Sequence, residues 1–114
     1  MNDCLFCKII SNEIPSDCVF ENENMYAFRD INPQAPVHIL IIPKTHISTL
    51  NDVGDNHKLL VGEILLTSTI LAEKEGISDS GYRTVFNCNK NGGQQVYHIH
   101  LHLLGGRRMT WPPG

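Results

Sequence analysis

The stretch His98-Ile99-His100-Leu101-His102-Leu103-Leu104 decides how this chain is read. In an extended strand alternate residues share a face, so the three imidazoles project one way while Ile99, Leu101 and Leu103 project the other. One side carries chemistry and the other faces a core. A row of three rings is poor packing material, because each buried ring nitrogen needs a partner. Either the row binds a divalent metal through neutral imidazole, or one histidine is a nucleophile whose neighbours orient it and stabilise developing charge. No HExxH or HxxEH element supplies a ready ligand set for metal catalysis, which favours the nucleophile.

Working outward from that strand, Tyr82 to Asn87 and Val96 to Leu104 read as two strands of a hairpin joined by Cys88 to Gln95. The connection carries Gly92-Gly93, where the backbone can adopt positive φ and approach a ligand; beside the histidines its N–H groups, with Gln94 and Gln95, suit a phosphate. Asp55 is a candidate N-cap for a long helix to about Glu75, closed by Gly76. Its apolar residues Leu59, Leu60, Val61, Ile64, Leu65, Leu66, Ile70 and Leu71 spread wider than one core-facing stripe, so a second buried face is expected, most economically against another copy of the chain. His57, at its start, is expected in solvent. His38 to Ile42, bounded by Pro36 and Pro43, fits a buried strand. Val19 to Glu21 and Met25 to Phe28 suit short strands around the turn Asn22-Glu23-Asn24, and Cys4 to Ile10 a short helix. The chain is α+β, with one long and one short helix.

At 114 residues, 41% hydrophobic and 18% charged, the sequence describes one globular domain, residues 1–114. A formal charge of −3 with no basic run argues against nucleic acid as a partner. No apolar run nears the roughly 20 residues of a membrane span and no signal sequence stands at the start, so a cytoplasmic location is expected. Without a secretory signal, Cys4, Cys7, Cys18 and Cys88 are expected to be thiols. Cys4 and Cys7 form a CxxC that reads as half of a zinc site or as two small buried residues on a helix.

Three separated motifs carry a resemblance: Arg29-Asp30-Ile31-Asn32-Pro33-Gln34-Ala35-Pro36-Val37-His38 with Ile39-Leu40-Ile41-Ile42-Pro43-Lys44, then Asn87 through Arg107 across the histidine row, then Trp111-Pro112-Pro113-Gly114. In order and spacing they resemble the histidine-triad (HIT) family, specifically its Hint branch, over nearly the whole chain. The resemblance implies an antiparallel sheet of about five strands in a homodimer formed through the sheet edge and the long helix, with residues 105–114 as a C-terminal arm. It implies a purine nucleotide or nucleoside phosphoramidate as ligand and cleavage of a P–N bond through a nucleotidyl-histidine. His100 is then the nucleophile, with His98, His102 and His38 as its catalytic companions. Asp30 matches the ribose-binding aspartate, Ile31, Phe6, Ile9 and Phe28 the base pocket, and Asn87, Gly93, Gln94 and Gln95 the sugar and phosphate contacts, although many relatives carry serine where Gln95 stands. Some relatives with a CxxC here hold structural zinc, which implies the set Cys4, Cys7, His46 and His98. No cofactor is implied for turnover. Competing expectations are a nucleotide-binding module with incidental hydrolysis, a zinc-dependent hydrolase, and a dinucleoside polyphosphate hydrolase.

Overall fold

The computed structural model describes residues 3–114. A short helix, α1 (Leu5–Ile10), precedes three strands, β1 (Cys18–Glu21), β2 (Met25–Arg29) and β3 (Val37–Pro43). Two 3-10 turns, Leu50–Asp52 and Asp55–His57, lead into α2 (Lys58–Lys74); β4 (Tyr82–Phe86), a single-turn helix α3 (Asn89–Gly92) and β5 (Leu101–Gly105) complete the chain. The strands form one antiparallel sheet in the order β1-β2-β3-β5-β4.

Register divides the sheet into two chemistries. Phe28 pairs with Leu40 and Tyr26 with Ile42, while Leu40 pairs with His102, so these side chains share one face with His38. Ala27, Ile39, Ile41, Leu101 and Leu103 take the other face and pack with Ile64, Leu71 and Ala72 of α2 in the main core. On the first face, Phe6 and Ile9 of α1 cover Tyr26, Phe28, Leu40 and Ile42. α1 is therefore the lid of the histidine face and α2 the floor of the core. Arg29 ties the two layers, its guanidinium donating to both carboxylate oxygens of Glu75 at 2.8 and 3.0 Å.

Several elements depart from the sequence reading. β1 to β3 start or end one residue beyond the expected limits. α2 begins at Lys58, and Asp55 opens a 3-10 turn instead of capping it; the His57 ring, half-buried and not free in solvent, reaches back to accept from the Gly54 N–H at 3.0 Å. Gly76, at φ 74°, ends the helix as expected. As expected, the eight apolar residues on α2 spread beyond the core-facing stripe: within the chain only Ile64 and Leu71 are buried. Thr67 and Ser68 turn inward in their place, their hydroxyls satisfied by the Glu63 and Leu65 carbonyls, while Leu59 is 89% and Leu66 65% exposed. The final hairpin pairs Phe86 with Leu101, so its connection is longer than expected and only His102 of the row stands in the ladder. The reason is local: the Ile99 N–H donates to the Ile47 carbonyl at 2.8 Å, outside the ladder. β5 runs to Gly105, and the arm beyond it leaves Trp111 82% exposed.

Candidate active site and metal cluster

Backbone groups assign the protonation of the histidine row. The buried His98 ring lies 2.8 Å from the Pro43 carbonyl through Nε2; a carbonyl only accepts, so Nε2 donates and the Nδ1 lone pair points elsewhere. One alternation on, Nδ1 of His100 donates to the His98 carbonyl at 2.8 Å, which leaves Nε2 of His100 as a bare lone pair. His38 Nδ1 accepts from the Gln34 N–H at 3.0 Å, so its Nε2 carries the hydrogen and donates to His102 Nδ1 at 2.9 Å. His102 must then hold its own proton on Nε2. Burial keeps all four rings uncharged: it pushes His98 and His102 down to about 4, and His38 and His100 below their ordinary value, with the Asp30 carboxylate opposing the shift at the last three.

The row borders two adjoining recesses. A polar one of about 270 Å³ is lined by Asp30, Asn87, Gly93, Gln95, His100 and His102 among others. An apolar one of about 390 Å³ adds Phe6, Ile9, Phe28, Ile31 and Leu40, and shares Asp30, Gln95, His100 and His102 with the first. A lone pair on His100 and a hydrogen on His102 thus meet at the seam between a polar and an apolar recess. The Asp30 carboxylate also lies at that seam. One of its oxygens accepts from the Asn32 N–H at 2.8 Å, closing a turn, and the other lies 3.4 Å from His38 Nε2. Phe6 stands edge-on to His100, ring centroids 5.0 Å apart at 89°.

The loop before the row departs from expectation. Gln94 is buried and turned away from both recesses: its amide donates to the Ser48 and Val96 carbonyls at 2.8 and 3.1 Å and accepts from the Asn89 N–H at 2.9 Å. Its side chain holds the loop in place, and no donor of that amide is left for a ligand. The N–H groups of Gly93 and Gln94 close α3 on the Lys90 and Asn89 carbonyls, with Gly93 at φ 80°, so of the two adjacent glutamines it is Gln95 that lines the recess. The Pro43 carbonyl and Gln34 N–H, which fix the tautomers, carry no side-chain signal and were invisible to sequence reading. Leu40 and Val96 also line the apolar recess; their apolar character alone marked them only as core.

Across His98 lies a second cluster. Its Nδ1 stands 3.4 Å from Cys4 Sγ, 3.6 Å from Cys7 Sγ and 3.1 Å from His46 Nδ1, while Cys7 Sγ and His46 Nδ1 are 3.5 Å apart. A tetrahedral zinc ion with Zn–S near 2.3 Å and Zn–N near 2.0–2.1 Å places its donor atoms about 3.3–3.8 Å from one another. Three of the four separations fall in that range and the His46–His98 pair just below it; the two-thiol, two-imidazole donor set suits such an ion, and the Pro43 carbonyl presets the His98 lone pair as a ligand requires. All four cysteines are thiols. Asp30, His38 and His102 also converge, their donor atoms within 4.8 Å of one another, but the hydrogen on His38 Nε2 fills the space between the rings.

Among the described residues no helix is long and apolar enough to cross a membrane. The HIT domain family model matches residues 11–109. The chain is 53% identical over 105 residues to the purine nucleoside phosphoramidase of Escherichia coli K12, covering 92% of this chain and 88% of that one. It is 53% identical over 112 residues to a 14 kDa zinc-binding protein of Zea mays, covering 96% and 87%. A HIT family hydrolase from Legionella pneumophila Philadelphia 1 superposes with a TM-score of 0.97 at 63% identity, covering 98% of this chain and 100% of that one.

Proposed function

From the premise that this chain belongs to the HIT domain family, we propose that it hydrolyses the P–N bond of purine nucleoside 5′-phosphoramidates, with His100 as nucleophile. The observation that carries this reading is the His100 tautomer: Nδ1–H on the His98 carbonyl at 2.8 Å and Nε2 unprotonated at the mouth of both recesses. The purine lies in the apolar recess between Phe6, Ile9, Phe28 and Ile31, and the Asp30 carboxylate accepts from the ribose diol. The α-phosphate then rests in the polar recess near Asn87, Gly93 and Gln95.

Nε2 of His100 attacks the α-phosphorus, the P–N bond breaks and the nitrogen departs with the bonding pair, taking up a proton from solvent to leave as the neutral amine. As the His100 ring gains positive charge, the His98 carbonyl on Nδ1–H stabilises it. The Nε2–H of His102, backed by His38, donates to a phosphoryl oxygen together with Gln95; losing such a donor costs about 3 kcal/mol of transition-state stabilisation. Water then attacks the nucleotidyl-histidine, gives up a proton to solvent that balances the one taken by the amine, and releases the nucleoside monophosphate with the Nε2 lone pair restored. Splitting the displacement in two lowers each barrier.

Cys4, Cys7, His46 and His98 hold a structural zinc ion in this reading, which the name of the maize relative supports. Its chemistry is limited to tethering the four side chains, and turnover at saturating substrate proceeds without it. A second copy covers the exposed leucines of α2. Their groove, lined by Leu65, Leu66, Tyr82 and Thr84, runs onto β4, which stands at the sheet edge and offers unpaired backbone groups for continuation across a two-fold axis. Light scattering gives a dimer at micromolar concentration and a monomer for Leu66→Glu; a monomeric wild type contradicts it.

Phosphorus NMR of the protein with adenosine 5′-phosphoramidate and a chelator tests the reaction. The expected result is release of AMP at saturating substrate, abolished in His100→Ala. A folded wild type that binds AMP and releases none from the phosphoramidate overturns the reading in favour of a nucleotide-binding module.

A further inference from the structure

α1 has six residues, well short of the length at which an isolated helix persists in water. Two of its attachments are the thiols at its start: Cys4 caps it, accepting from the Cys7 N–H at 3.4 Å, and both sulfurs face His98. Between the cysteines sits Phe6, whose ring meets Phe28 at 5.5 Å and His100 at 5.0 Å, and Ile9 follows on the same wall of the apolar recess. His98 supplies a second route. Its ring belongs to the cysteine cluster, while its carbonyl, two bonds from the Cα that carries the ring, fixes His100.

The same few atoms therefore set the cluster and both ends of the nucleotide site. We infer that zinc binding at Cys4, Cys7, His46 and His98 and nucleotide binding in the cleft are energetically linked through α1 and the His98 backbone, each raising the affinity of the other by the same factor. The inference rests on the reading of the cluster as a metal site. A bound ion fixes α1 against the sheet, so the nucleotide meets a wall already ordered. A bound nucleotide, seated against Phe6 and Phe28, in turn holds the two thiols where the ion needs them. Reciprocity is a thermodynamic requirement, and coupling between sites of this kind typically changes affinity by roughly 5- to 150-fold; about tenfold is expected here. Zinc loss then raises KM by about the same factor while kcat at saturation changes far less.

The test uses the full chain, Zn²⁺ and AMP. Competition with a chromophoric chelator gives the zinc affinity with and without saturating AMP, and calorimetry gives the AMP affinity of zinc-loaded and zinc-free protein. The expected result is the same factor, about tenfold, in both directions. Should the zinc-free protein fail to fold, the rate of zinc release from loaded protein, slower with AMP bound, gives the same answer. Phe6→Ala keeps all four donor residues and is expected to shrink the factor toward unity. Zinc bound with equal affinity in the presence and absence of AMP overturns the linkage while leaving the metal reading intact; the full factor persisting in Phe6→Ala overturns α1 as its carrier. A chain that binds no zinc overturns both.

Discussion

In the cluster beside α1, the Nδ1 atoms of His46 and His98 stand 3.1 Å apart and meet two thiols; around β5, His38 Nε2 and His102 Nδ1 stand 2.9 Å apart and meet a carboxylate. The ingredients are nearly the same, and both sets could be taken for metal sites. What separates them is the far nitrogen. The Pro43 carbonyl takes the hydrogen of His98 and turns a lone pair toward the thiols, whereas the Gln34 N–H fills the lone pair of His38 and sends a hydrogen along to His102. One cluster presents lone pairs and suits a cation. The other presents a hydrogen beside the single lone pair of His100, which suits an anionic phosphoryl group under nucleophilic attack.

The comparison is broken most severely at His100. His100→Ala is expected to lower turnover by at least about 10³-fold while AMP binding and the melting temperature stay close to wild type. Turnover retained within tenfold would place the nucleophile elsewhere. On the other side, Cys7→Ala removes a donor and is expected to weaken zinc binding by more than about 100-fold, with kcat at saturating substrate nearly unchanged. Metal analysis after dialysis reads the first effect and steady-state kinetics the second. A collapse of kcat in parallel with metal loss would make the cation a participant in the chemistry.

A smaller effect is expected at His38. Its replacement by Ala removes the hydrogen that sets the His102 tautomer, so kcat falls by about 10- to 100-fold with KM little changed. An unaltered kcat would show that His102 finds its tautomer without help. The mildest signature is in acid. Burial holds His102 at about 4 against an ordinary value of 6.5. Below pH 6.5 the unfolded chain takes up this proton before the folded one does. The stability that the neutral ring contributes is therefore complete above that pH and is lost as pH falls toward about 4. The urea midpoint should fall between pH 7 and pH 5, and fall less in His102→Asn. Equal slopes would mean that burial does not hold the ring neutral.

How much of this was legible in the sequence follows from where each piece of information resides. The alternation of His98, His100 and His102 with Ile99, Leu101 and Leu103 announces a two-faced segment, and side-chain patterns mark the strand segments, while their assembly into one antiparallel sheet came with the family resemblance. The CxxC announced the cysteine half of the second cluster, and His46 came with the family resemblance. Hidden were the contributions of the backbone: the Pro43 carbonyl and the Gln34 N–H have no residue type that signals them. Gln94 and Gln95 are the same amide in adjacent positions, yet one braces the loop and the other faces the recess, because alternation in an irregular segment has no fixed phase. On α2, Thr67 and Ser68 face inward because their hydroxyls can bond to their own helix. The leucines stand on the outer face, the second apolar surface that their wide spread along the helix announces.

The central claim, that Nε2 of His100 forms a bond to phosphorus, is tested most directly by trapping that bond. Wild-type protein mixed with adenosine 5′-phosphoramidate is quenched in alkali, digested, and mapped by mass spectrometry. The account predicts an adenylyl group on the peptide at His100 and none in His100→Ala. An adduct on His98 or His102, or rapid turnover with no adduct at any quench time, would contradict it.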